Sequence, residues 1–128
     1  MKTFSTFQEA LDFQKQKNSY DITADLVTGV VAIDRIQFSV GEVVWLILAD
    51  DFYLDDYEEY VTQYGITADG KWAAVSGGHC SCYGWEEMSD SDVTYYENLE
   101  VLLKADKNAD VIIRHKEILK GSYPFLEI

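Results

Sequence analysis

A chain of 128 residues with a 48% apolar share, and with aromatic side chains at 14%, has the length of one domain and enough material for a core, which argues against disorder. Its formal net charge of −13 repels phosphate and excludes conventional binding to a DNA or RNA backbone. The longest apolar run, Val43-Val44-Trp45-Leu46-Ile47-Leu48-Ala49, falls far short of the roughly 20 residues that cross a bilayer, which excludes a membrane-spanning helix.

Met1-Lys2-Thr3-Phe4-Ser5-Thr6-Phe7 has no apolar signal core, which points to the cytoplasm. Thr6-Phe7-Gln8-Glu9 is a capping box, and Phe7, Ala10, Leu11 and Gln14 lie on one face of a helix expected to run to about Lys17. Tyr20 to Ala24, Val27 to Ile33 and Arg35 to Val40 are short β-rich stretches broken by Asp25, Gly29, Asp34 and Gly41. They predict an antiparallel meander leading into a buried strand at Val43 to Ala49.

Asp50-Asp51-Phe52-Tyr53-Leu54-Asp55-Asp56-Tyr57-Glu58-Glu59-Tyr60 follows, with six carboxylates in eleven residues and four aromatic rings between them. A run of this kind is ordinarily a solvated loop. A sharper reading is partner binding through Asp50, Asp51, Tyr53, Asp55, Asp56, Tyr57, Glu58, Glu59 and Tyr60. Carboxylates on alternate strand positions, about 6 to 7 Å apart, would mimic a phosphate backbone, with the tyrosines as interface anchors. A metal-binding carboxylate cluster is the third reading.

Tyr60 to Thr67 fits a strand as well as a helix. The Asp-Gly turn signal in Ala68-Asp69-Gly70-Lys71 and the β-rich Trp72-Ala73-Ala74-Val75-Ser76 favour a hairpin, which makes the acidic run the loop that feeds it.

Gly77-Gly78-His79-Cys80-Ser81-Cys82-Tyr83-Gly84-Trp85-Glu86 concentrates the rare side chains. Cys80 and Cys82 are too close for an ordinary disulfide and read as reduced thiols buried as small apolar residues. A zinc site from His79, Cys80 and Cys82 requires the backbone to turn, which Gly77, Gly78 and Gly84 would permit, and a fourth ligand from His115 or Glu86. A cysteine nucleophile would need His115 as base and an acid such as Asp110 to orient it. The segment Gly78-His79-Cys80-Ser81-Cys82-Tyr83-Gly84-Trp85-Glu86 resembles one carried by uncharacterised small proteins of bacteriophages and bacteria. Over those nine residues the resemblance implies provenance among small cytosolic proteins, often of phage origin, and nothing about mechanism.

Thr94-Tyr95-Tyr96-Glu97 is a second capping box, predicting a helix with Leu99, Leu102 and Leu103 on its apolar face. Asn108 is expected to cap a third helix through Val111, Ile112, His115, Ile118 and Leu119, ended by Gly121. Asp106, Asn108, Asp110 and Glu117 occupy positions 1, 3, 5 and 12 of a loop that resembles the EF-hand family, with Ile113 at position 8. Val111 stands where that loop needs glycine, so an Asx-rich turn capping the last helix is the better reading.

Strands in the middle and helices at the ends predict one α+β domain over residues 1 to 128: a central antiparallel sheet, an N-terminal helix and two C-terminal helices. The charge is as segregated as the elements. Residues 36 to 103 hold fourteen acids against the single Lys71, whereas both ends are near neutral. Neither a Rossmann nor a P-loop fingerprint is present, so no nucleotide cofactor is implied. The expectation is a non-enzymatic, cytoplasmic interaction protein whose partner has a basic surface, such as a nucleic-acid-binding protein. A phage-encoded inhibitor acting as a DNA mimic would have this character. The alternative is a small zinc protein using His79, Cys80 and Cys82.

Overall fold

The computed structural model describes residues 3–15, 40–49, 53–54, 58–80 and 92–128, and at 53–54, 58–61 and 78–80 the backbone alone. Helix α1 spans Phe7–Lys15 and begins as its capping box dictates, with the Thr6 hydroxyl accepting from the Glu9 N–H at 3.2 Å. Its buried face is Ala10, Leu11 and Gln14. The meander expected between Tyr20 and Ile33 lies outside the described residues, as does all of Arg35 to Val40 except Val40.

Five strands follow: β1 Val43–Leu48, β2 Tyr53–Leu54, β3 Glu58–Thr67, β4 Trp72–Cys80 and β5 Thr94–Tyr96. All pairings are antiparallel, in the order β1-β3-β4-β5, with β2 also paired to β3. The α+β architecture is therefore as the sequence predicts. β1 is buried at every position, which is why it reads as an unbroken apolar run. A bulge at Leu46 shifts its register against β3, from Trp45↔Gly65 to Ile47↔Tyr64. Val44, Leu46, Ile47 and Ala49 accordingly share one core cluster with Tyr64, Ile66, Trp72 and Ala74, which a strict two-residue alternation would not allow.

That cluster is closed by α1 and by the C-terminal helices α2 Leu99–Ala105, α3 Val111–Arg114 and α4 Lys116–Ser122, which contribute Leu102, Val111, Ile112 and Leu119. Phe4 stacks on Tyr123 at 5.7 Å and its N–H bonds to the Ser122 carbonyl at 2.8 Å, so the segment before α1 is fastened to the end of α4.

Four local expectations are corrected. Thr94–Tyr96 is not a helix cap but β5, because these β-formers pair with Trp72, Ala73 and Ala74 of β4. The cap of α2 is Asn98, whose side chain accepts from the Val101 N–H at 3.0 Å. Asp106 rather than Asn108 caps the next element, a 3-10 turn over Lys107–Asp110, and the chain from Val111 on kinks at His115 (φ −110°, ψ 21°) into α3 and α4. Gly121 lies inside α4, which continues to Ser122.

The acidic run is likewise more than a feeding loop: Tyr53 and Leu54 form β2, and Glu58, Glu59 and Tyr60 open β3. Gly77 and Gly78 do not turn the chain but continue β4 as far as Cys80, because they pair with Val61 and Tyr60.

Candidate functional site

The β3–β4 hairpin organises both regions of chemical interest, one at each end. Its closed end is a three-residue loop, Ala68-Asp69-Gly70, between Thr67 and Lys71. The Thr67 N–H donates to the Lys71 carbonyl at 3.0 Å, and the Thr67 carbonyl accepts from the Gly70 N–H at 3.1 Å. Gly70 takes φ +88°, the left-handed conformation such a loop needs at its last position. The Thr67 hydroxyl accepts from the Lys71 N–H at 3.0 Å and donates to the Asp69 carboxylate. That bond holds the Asp69 carboxyl below the usual carboxylate range, with the nearby Lys71 ammonium adding to the effect.

At the open end, eight residue steps or about 27 Å away, the register joins the two segments singled out in the sequence. Glu58 pairs with Cys80, Glu59 with His79 and Tyr60 with Gly78, while on the other side of β3 Tyr53 pairs with Tyr60 and Leu54 with Glu59. Tyr53, Leu54 and Glu58 to Tyr60 of the acidic run and Gly78 to Cys80 of the His-Cys segment thus belong to one end of one sheet. Residues at successive positions of a strand alternate between its faces. By that alternation His79 falls with Glu59, and Cys80 with Glu58. Asp50, Asp51, Asp55, Asp56, Tyr57, Cys82 and Glu86 lie outside the described residues.

His115 stands at the α3–α4 kink, and Asp110 is engaged one turn earlier, accepting from the Arg114 guanidinium at 3.2 Å. The loop that resembles an EF-hand has its first carboxylate committed elsewhere. Asp106 accepts from the Tyr64 hydroxyl at 2.8 Å and from the Asn108 N–H at 3.0 Å. Val111 is right-handed helical at φ −54°, where calcium coordination requires a sharp turn. Among the described residues no three His, Cys, Asp or Glu side chains converge as a metal site.

A hollow of about 720 Å³ opens beside the closed end of the hairpin, a size at which small ligands and peptide side chains are bound. It is bounded by the hairpin loop, the start of α2, the C-terminal tail and Phe7 of α1. Half-buried Phe7, Leu99 and Phe125 form its apolar wall, with Phe7 and Phe125 edge to face at 6.3 Å. Exposed Asp69, Glu100 and Glu127 stand at its rim. Sequence reasoning missed this hollow, because Phe7 reads as core, Asp69 as turn and Leu99 as helix face. No local signal joins segments so far apart.

Protein-family models, curated proteins and solved structures yield no match to this chain. Among the described residues no helix is long and apolar enough to cross a membrane.

Proposed function

We propose that this chain is an interaction protein that engages a basic surface of a partner through residues 50 to 60. The observation that carries the reading is the segregation of charge, with fourteen acids against Lys71 between residues 36 and 103. A field of that sign speeds encounter with a cationic surface and disfavours nucleic acid itself. The tyrosines interleaved with the acids supply rigid contact area at low entropic cost. Partners with basic grooves include nucleic-acid-binding proteins, and an inhibitor mimicking DNA, of the kind phages encode in the bacterial cytoplasm, fits the composition.

β3 refines the mimicry. Glu58 and Glu59 are consecutive strand positions and fall on opposite faces, so only one of them can belong to a single row of charge. The test is capture of partners from a bacterial lysate, followed by competition with duplex DNA. Captured protein is expected to be released by DNA and by rising salt, and to be lost with the Asp55→Asn, Asp56→Asn, Glu58→Gln, Glu59→Gln variant. Retention of the same partner by that variant, with the same salt dependence, sinks the reading.

A second reading, a small zinc protein, draws on the register that sets Glu59 opposite His79 and Glu58 opposite Cys80. It adds carboxylate positions to the donor set of His79, Cys80 and Cys82. Stoichiometric zinc in elemental analysis of the purified protein would favour it.

A further inference from the structure

The hollow at the closed end of the hairpin invites its own occupant. We propose that it docks a short basic peptide segment of a partner protein, one carrying arginine next to an apolar side chain. Three carboxylates from three separate segments, Asp69 of the hairpin loop, Glu100 of α2 and Glu127 of the tail, surround a wall formed by Phe7, Leu99 and Phe125. No lysine, arginine or histidine is among the described residues that line it.

A purely apolar ligand would engage the wall but none of the rim carboxylates, whose cations Lys71 and Lys104 stand outside the lining, and a purely polar cation would leave the wall wet. An arginine beside an apolar residue satisfies both, since its guanidinium pairs with carboxylates and also stacks on aromatic faces.

The local positive ends are already offset. The Asn98 side chain takes the Val101 N–H at the start of α2, and Glu100 lies in the first turn, so the helix terminus does not repel a cation there. Glu100 is paired with Lys104 at 3.1 Å, but both side chains are three-quarters exposed, and such a pair yields readily to a better-held cation. The Thr67 hydroxyl donates to the Asp69 carboxylate, which favours its charged form.

The site goes beyond the partner-binding segment at residues 50 to 60. It lies at the opposite end of the hairpin from Glu58 to Tyr60 and uses none of that segment's side chains, so the two readings fail separately.

The test is a nuclear magnetic resonance titration of the full ¹⁵N-labelled chain with the capped peptide acetyl-Leu-Arg-Phe-Arg-amide. The amides of Asp69, Gly70, Leu99, Glu100 and Glu127 should move together, and the Glu100→Gln, Glu127→Gln variant should bind about fivefold more weakly. Both positions are exposed, and unchanged shifts elsewhere will show that the fold is kept. The charge-reversed peptide acetyl-Leu-Glu-Phe-Glu-amide should move nothing. Absence of shifts at millimolar peptide, shifts confined to another region, equal binding of acetyl-Leu-Ala-Phe-Ala-amide, or indifference to the double variant would each overturn the proposal.

Discussion

The carboxamide of Gln14 meets both backbone groups of Trp45: Nε2 donates to the carbonyl at 2.6 Å and Oε1 accepts from the N–H at 2.8 Å. A helix side chain thereby serves β1 as an adjacent strand would, at the residue preceding the bulge. Both partners are buried, so neither backbone group can turn to water instead.

Gln14→Leu keeps the volume and orphans both groups. Each stranded polar group costs about 1 to 3 kcal/mol, so a loss of about 2 to 4 kcal/mol is expected in urea unfolding. Gln14→Glu separates hydrogen bonding from packing. As a carboxylate it can accept from the N–H but not donate to the carbonyl, and burial raises its pKa. Once protonated it can do both, so its deficit should shrink as the pH falls towards that pKa. A pH-independent deficit would contradict the two-point pairing.

Gly65 should be the least replaceable glycine described. A Cβ built there would stand 2.6 Å from Val43 Cγ1 and 3.0 Å from the Trp45 Cα, with the Val44 carbonyl oxygen closer still. These are mainly backbone atoms of the bulged strand and cannot swing aside. Gly65→Ala is expected to cost about 3 kcal/mol or more, as overpacking in a rigid core does. Gly70→Ala is the control. Its Cβ would meet nothing within 4 Å, so only the left-handed backbone is penalised, at about 1 to 2 kcal/mol. Equal losses in the two variants would refute the steric account.

What could be read from the sequence divides by range. The Thr6–Glu9 cap, the Asp69-Gly70 turn and the all-apolar β1 are each specified within a few residues, and each forms as read. Thr94-Tyr95-Tyr96-Glu97 satisfies a capping-box pattern equally well, yet pairing with β4 claims it, and Asn98 takes over the cap. Gly77 and Gly78 were equally ambiguous: conformational freedom suggests a turn, and only Val61 and Tyr60 across the ladder keep them extended. The hairpin register was hidden in the same way, since it alone sets Glu58 and Glu59 opposite Cys80 and His79.

Asp106 links three elements, which predicts coupled losses. Its N–H closes α2 on the Leu102 carbonyl at 2.9 Å, one carboxylate oxygen caps the 3-10 turn at Asn108, and the other receives the fully buried Tyr64 hydroxyl. Tyr64→Phe should cost about 1 to 2 kcal/mol, and Asp106→Ala about 2 to 3 kcal/mol, because it removes a cap and strands a buried hydroxyl. Combined, the two should fall short of additivity by about 1 kcal/mol, as residues in one network do. Full additivity in chemical denaturation would show that the hydroxyl and the carboxylate act independently.

The hairpin loop should leave a signature in acid. The Thr67 hydroxyl holds the folded Asp69 carboxyl below its ordinary value, so in the acid range the unfolded chain binds more protons there than the folded one. The contribution is fully present above the unfolded carboxylate pKa of about 3.9 and is lost as pH falls through the lower folded value. Asp69 is exposed, so the effect belongs in a site-resolved titration rather than in bulk stability. Followed by carboxyl ¹³C resonance, Asp69 should titrate below the ordinary range in the parent and move back up in Thr67→Val, which keeps the β-branch and removes the donor. Lys71→Gln should move it the same way by less, since the hydroxyl bond is the larger cause. If Lys71→Gln shifts the titration more than Thr67→Val does, charge and not the loop's hydrogen bond governs that carboxylate.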